Sequence, residues 1–252
     1  MIVMDILFWT ALNPDIKQLE TTKVMHRYYL HRLAIRAPGA SMLRHDGDLD
    51  RQIEKRNNAA SYNYGGSWRR NKLSDHDIEL LKFVKERIQE INNPEVPTRP
   101  PLLGDPIRVR IEDPNIQFYA RSELVLKNLA NTLRWKDDQH FVSIMSPTNA
   151  ANEKFLLDGF VLRKREIQWP FRIVFRDGRY SAETKQQLLS YLTALGDQVR
   201  VPKGLSEQLT KGGWIWGGYI YVHDPHLQSM LALIDTRLVS KVEEFKSLAQ
   251  GE

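Results

Sequence analysis

Apolar residues recur along this chain with two periods, and the period decides the element. In SDHDIELLKFVKERIQEI, residues 74–91, Ile78, Leu81, Val84, Ile88 and Ile91 fall at helical spacing behind Ser74 and Asp75, either of which can cap a first turn. HRYYLHRLAIRA, residues 26–37, broadly alternates instead and stops at Pro38-Gly39, which predicts a strand. Further on, IRVRIED, HFVSIM, FVLRKR, FRIVFRD, QVRVP and WIWGGYIYVHD read as strands, while SELVLKNLANTL, NEKFLLDG, SAETKQQLLSYLTAL and LSEQLTK read as helices. HLQSMLALI and VSKVEEFKSL are read as closing helices. MIVMDILFWTAL at the start reads as a short amphipathic element: twelve residues are too few to span a bilayer as a helix, and no basic residue precedes them as in a secretory leader.

These elements predict an α+β fold. NNPEVPTRPPLLGDP, residues 92–106, is too proline-rich for regular structure and reads as a linker. It divides an N-terminal basic strand and helix segment, 1–91, from a C-terminal body, 107–252. Within that body the order of elements returns, giving two small βα-ββ-like units with mixed sheet, 107–165 and 171–223, followed by the closing helices. The duplication is one of pattern; residue identities between the two stretches are sparse.

Composition narrows the chemistry. The 42% hydrophobic and 27% charged fractions of these 252 residues are those of a folded globular protein. With no cysteine, disulfides, zinc-thiolate sites and iron-sulfur clusters are excluded, and an intracellular, cytoplasmic protein is expected. The net charge of +5 with a pI near 9.3 favours a polyanionic partner. Ten basic residues against four acidic ones lie between Arg27 and Lys72, so this interval alone exceeds the excess of the whole chain.

The richest chemistry lies in YNYGGSWRRNK, residues 62–72. Tyr62, Tyr64 and Trp68 interleave with Arg69, Arg70 and Lys72 beside a glycine pair, and Arg36 and Arg56 belong to the same basic interval. Rings that stack on bases and arginines that hold phosphates are what single-strand binding requires. In residues 65–79, Gly66, Ser67, Arg69 and Arg70 followed by Asp77 and Glu79 resemble the nucleotidyltransferase signature in the GS-x-R-R form of family X DNA polymerases. The resemblance implies phosphate contacts from the glycine-serine turn and arginines, and Mg²⁺ on the two carboxylates. The apolar period around Asp77 and Glu79 is helical, however, and residues two apart on a helix do not share a face.

Other candidates are weaker. HDGDLDRQIE imitates the start of a calcium loop, but Arg51 and Asn57 stand where glycine and glutamate are needed, and His26 and His31 lack metal-ligand spacing, so no metal site or cofactor is expected. In GGWIWGGYIYV, residues 212–222, alternation sets Trp214, Trp216, Ile220 and Val222 against Ile215, Tyr219 and Tyr221, and Gly217-Gly218 imply a bulge or a close backbone approach. These rings are read as core, with a base-stacking sheet face as the alternative. A second basic run supplies Arg163, Lys164, Arg165, Arg172, Arg176 and Arg179. The resulting expectation is a non-catalytic nucleic-acid-binding protein that grips single-stranded DNA or RNA, with no membrane association. A Mg²⁺-dependent nucleotidyltransferase and an assembly protein that binds other protein chains are the alternatives.

Overall fold

The computed structural model describes residues 4–44, 47–61, 72–92, 107–211 and 213–248, and the fold is α+β. The chain forms two compact units, Met1–Ala150 and Ala151–Glu252. Unit 1 runs α1 (Ile6–Leu12), β1 (Lys17–Glu20), β2 (His31–Arg36), α2 (Leu49–Ser61), α3 (Asp75–Asn92), β3 (Arg108–Glu112), β4 (Asn115–Ala120), α4 (Glu123–Thr132) and β5 (Phe141–Ser146). Unit 2 runs α5 (Ala150–Leu157), β6 (Val161–Arg163), β7 (Phe171–Phe175), β8 (Gly178–Arg179), α6 (Ala182–Ala194), β9 (Val199–Arg200), α7 (Lys203–Thr210), β10 (Trp214–Ile215), β11 (Tyr219–Val222), α8 (Leu227–Ile234) and β12 (Val239–Ser247).

Each unit builds one five-stranded sheet, ordered β1-β5-β2-β4-β3 in the first and β6-β12-β7-β11-β9 in the second, while β8 and β10 pair as a separate ribbon. Counted within its own sheet, each order is first, fifth, second, fourth, third. In both, the first pairing is parallel and the next three are antiparallel. From its second strand onward each unit is a split β-α-β arrangement with one strand added at the edge. A helix precedes the first strand, helix separates the second from the third, and another separates the fourth from the fifth, in both units.

The helices cover one sheet face. In unit 1, Leu33 and Ile35 of β2 and Ile116 and Phe118 of β4 meet Trp9, Leu81, Val84 and Leu126 in one buried cluster. In unit 2, Ile173 and Phe175 of β7 and Ile220 and Val222 of β11 meet Leu188, Leu205 and Leu231. Strand alternation then commits the intervening residues to the opposite face. Trp9 is fully buried, and its indole Nε1–H donates to Glu123 Oε1 at 2.7 Å, which joins α1 to the start of α4.

The compact units differ from the division expected at 92–106. β2, before the proline-rich stretch, pairs with β4, after it, so the chain on both sides contributes to one sheet. The two sheets that share a strand order draw on residues 6–146 and 150–247, not on the expected units 107–165 and 171–223. The expected closing helix VSKVEEFKSL is strand β12, held between β6 and β7. Val239, Val242 and Phe245 have helical spacing, but pairing on both edges overrides that local preference. The break expected at Gly217-Gly218 is present: Gly217 has φ of 57°, and a Cβ on Gly218 would lie 2.7 Å from Ile215 Cγ2.

Candidate nucleic-acid interface

The open face of the unit 2 sheet follows from alternation in five short strands. Ile220 and Val222 point into the core, so Tyr219 and Tyr221 of β11 point away from it, and Arg172 of β7 lies opposite Tyr221. On the other side of Tyr221, β9 presents Arg200. β12 adds Glu243 opposite Arg172, and β6 adds Arg163 at the edge. The guanidinium of Arg163 lies 4.2 Å from the Phe245 ring centroid, that of Arg172 lies 5.3 Å from the Tyr219 centroid, and that of Arg200 lies 5.9 Å from the Tyr221 centroid. The connection from β6 to β7 brings Arg165, Gln168 and Trp169 to the same place, where the residues line a groove of about 370 Å³. That volume is in the range of small-ligand sites.

Charge is unevenly matched in this groove. Arg172 Nε donates to Glu243 Oε2 at 2.6 Å and Lys241 pairs with Glu243 Oε1 at 2.6 Å, so a single buried carboxylate serves two cations. Burial pushes the Glu243 carboxyl up, but the hydrogen bonds from Lys241 and Arg172 outweigh it, leaving the pKa below the ordinary value and the group ionised. Arg163, Arg165 and Arg200 have no carboxylate partner among the described residues. Burial and the neighbouring Tyr221 raise the Tyr219 hydroxyl above the ordinary phenol value, so at neutral pH it is a neutral donor. The arrangement can hold phosphate oxygens on three arginines and stack planar rings on tyrosine, with Trp169, tilted against His223 at 4.3 Å, at the rim.

Of the residues selected in 62–72, only Lys72 is described. Tyr62, Tyr64, Trp68, Arg69 and Arg70 lie outside the described residues. Lys72 and Arg36 are exposed. Arg56 is engaged within unit 1: its side chain is 14% exposed and pairs with Asp113 at 3.4 Å. Asp77 and Glu79 sit on α3, as their helical period predicts. Ser74 Oγ donates to Asp77 Oδ2 at 2.7 Å while Asp77 N–H donates back to Ser74 Oγ at 3.1 Å, a reciprocal cap, and Glu79 pairs with Lys136 at 2.6 Å. The two carboxylates are thus directed to different partners and do not converge. Asp48, from the calcium-like segment, accepts from Asp50 N–H at 2.9 Å at the start of α2. No group of three or more potential metal ligands occurs among the described residues.

Sequence reasoning placed Tyr219 and Tyr221 together on one strand face but read the rings as core, and it passed over Arg200 and Trp169. The available signal was the alternation R-I-V-F in β7 beside Y-I-Y-V in β11, which sets Arg172 and both tyrosines on the face opposite Ile173, Phe175, Ile220 and Val222. Trp214 and Trp216, also read as core, are 50% and 60% exposed and stack on each other at 5.1 Å on the β8–β10 ribbon. No helix among the described residues is long and apolar enough to cross a membrane. No protein-family model, curated protein or solved structure matches the chain.

Proposed function

We propose that this protein binds single-stranded DNA or RNA, without catalysis, through the open sheet face of unit 2. One observation carries the reading: three arginines without carboxylate partners among the described residues surround the half-buried Tyr219 and Tyr221 in a groove lined by strand and loop residues. Sheet faces that display aromatic rings bind single strands by stacking, and arginines supply the salt-dependent phosphate contacts. The basic-aromatic stretch 62–72 supports the same reading by its composition.

Fluorescence titration with labelled oligothymidylate and oligouridylate over a salt series tests it. Arg163→Ala combined with Arg200→Ala should weaken binding and flatten the dependence of log Kd on log salt by about one to two units of slope, because about two phosphate contacts disappear. Absence of binding by the unaltered protein at low salt sinks the proposal. A protein partner is the second reading, favoured by the apolar groove along α6 and α8, where Leu233 is 79% and Met230 49% exposed. It predicts self-association or partner capture that Leu233→Asp abolishes and that the two arginine substitutions leave intact.

A further inference from the structure

Resting on the reading just given for unit 2, we infer that the sheet face of unit 1 away from its helices is a second site for the same single-stranded nucleic acid. It is built on the same three-residue row and covered in this structure by the hairpin at residues 25–29.

The row is defined by register. In unit 2, Arg200 of the third strand lies opposite Tyr221 of the fourth, which lies opposite Arg172 of the second. In unit 1, Arg108 of the third strand lies opposite Tyr119 of the fourth, which lies opposite Arg32 of the second. Both rows read Arg-Tyr-Arg, at the same three strands of the same sheet order. Both lie on the face away from the helices, since their strand neighbours Leu33, Phe118, Ile173 and Ile220 are core. A row kept only for cross-strand packing does not need a cation on both sides of its ring.

The fourth position separates the two sites. Glu243 stands beside Arg172, whereas Met145 stands beside Arg32. Among the described residues Arg32 is therefore left without a carboxylate, and its Nε is buried with no hydrogen-bond partner there. That buried Nε–H is costly to leave unpaired, and an acceptor oxygen that reaches it would relieve the cost. Arg108 is exposed in the same row, and the phosphate of a bound strand supplies the missing negative charge.

What differs is the cover over the ring. The connection from β1 to β2 folds back as a hairpin, with Met25 and Tyr29 exchanging hydrogen bonds of 2.8 Å, and the His26 ring sits edge-on to Tyr119 at 4.6 Å. Tyr119 is 4% exposed as a result. The topologically equivalent connection in unit 2 lines the groove beside Tyr221 and leaves that ring half-buried. His26 and Arg27 at the hairpin tip have φ of 50° and 66°, a conformation that favours glycine, so the cover is held against a local backbone preference. Burial, followed by Arg108 and Arg110, disfavours protonation of His26, which favours a neutral imidazole over the row.

Calorimetric titration of the full chain with an oligothymidylate of about six nucleotides, within the usual footprint of a single-strand site, tests this. Two oligomers per chain are expected, the second weaker. Arg108→Ala, at an exposed position, and its combination with Arg32→Gln should each remove or weaken the second event alone, and Arg200→Ala with Tyr221→Ala should remove the first. His26→Gly, which deletes the covering ring, should tighten the second event by at least about threefold, as expected when a binding-competent form becomes more populated. One oligomer per chain, lost with Arg200→Ala and Tyr221→Ala and indifferent to Arg108→Ala and His26→Gly, overturns the second site and leaves the unit 2 reading standing. A single event that responds only to Arg108→Ala overturns the unit 2 reading, and no binding at all overturns both.

Discussion

Burial holds His31 neutral in unit 1, its pKa lowered to about 4, with Nδ1 in a hydrogen bond of 2.9 Å to Ser146 Oγ. An unfolded chain protonates this ring near its ordinary value of 6.5, so the stability contributed by the neutral form is full above that value. It is lost as pH falls toward the folded value, and the loss reaches about 3 kcal/mol once both forms are protonated. His140, pushed down chiefly by burial, acts in the same direction. The melting temperature should therefore fall steeply between neutral pH and about pH 4.5, and the fall should be shallower in His31→Gln; equal slopes for the two proteins refute the assignment. The residues of the candidate site were individually visible in the sequence: Arg163, Arg165 and Arg172 in a basic run, Tyr219 and Tyr221 in alternation. Which face carries no helices was not visible, because that depends on where α6, α7 and α8 pack after their strands pair. Arg200 joins the site only through the register of a two-residue strand, which leaves almost no periodicity to read.

At the scale of elements, local chemistry predicted well where local bonds fix the outcome. Ser74 caps α3 as its position before a helical apolar stripe implies, and Asp77 completes the reciprocal pair. Removing the cap through Ser74→Ala should destabilise the protein by roughly 1 kcal/mol, read from chemical denaturation. Asp77→Asn should leave melting equally indifferent to Mg²⁺ in variant and parent; a Mg²⁺-dependent stabilisation lost in Asp77→Asn refutes the capping role and returns the nucleotidyltransferase reading. Failures occurred where long-range pairing decides. β12 carries Lys241, Glu243, Glu244 and Lys246 with apolar residues at helical spacing, and only its neighbours β6 and β7 make it a strand. β1 is four residues long with no buried member, so neither alternation nor an apolar run announces it.

At the scale of the whole molecule, the two units agree in the order of their sheet strands far more than in the residues that occupy them. Each unit needs only a sheet covered on one side, so its core positions tolerate many apolar side chains and the same strand order does not require the same residues. The Arg-Tyr-Arg row lies on the opposite face, where packing does not require those types, yet it occurs at the same three strands in both sheets. Two sites on one chain have a consequence that one site lacks. A strand long enough to engage both binds its second contact intramolecularly, at an effective concentration set by the nucleic acid between the sites. Affinity for a length series of oligothymidylates should therefore rise gently while the strand engages one face. It should then rise sharply, by about a hundredfold or more, at the length that first reaches the second. Arg108→Ala should flatten that rise without changing the affinity for the shortest oligomers, and raising the salt should reduce it more than it reduces short-oligomer binding, because more phosphates are engaged. A smooth increase with length, identical in Arg108→Ala and the parent protein, is the behaviour of one site sliding along a longer lattice and refutes the two-site reading.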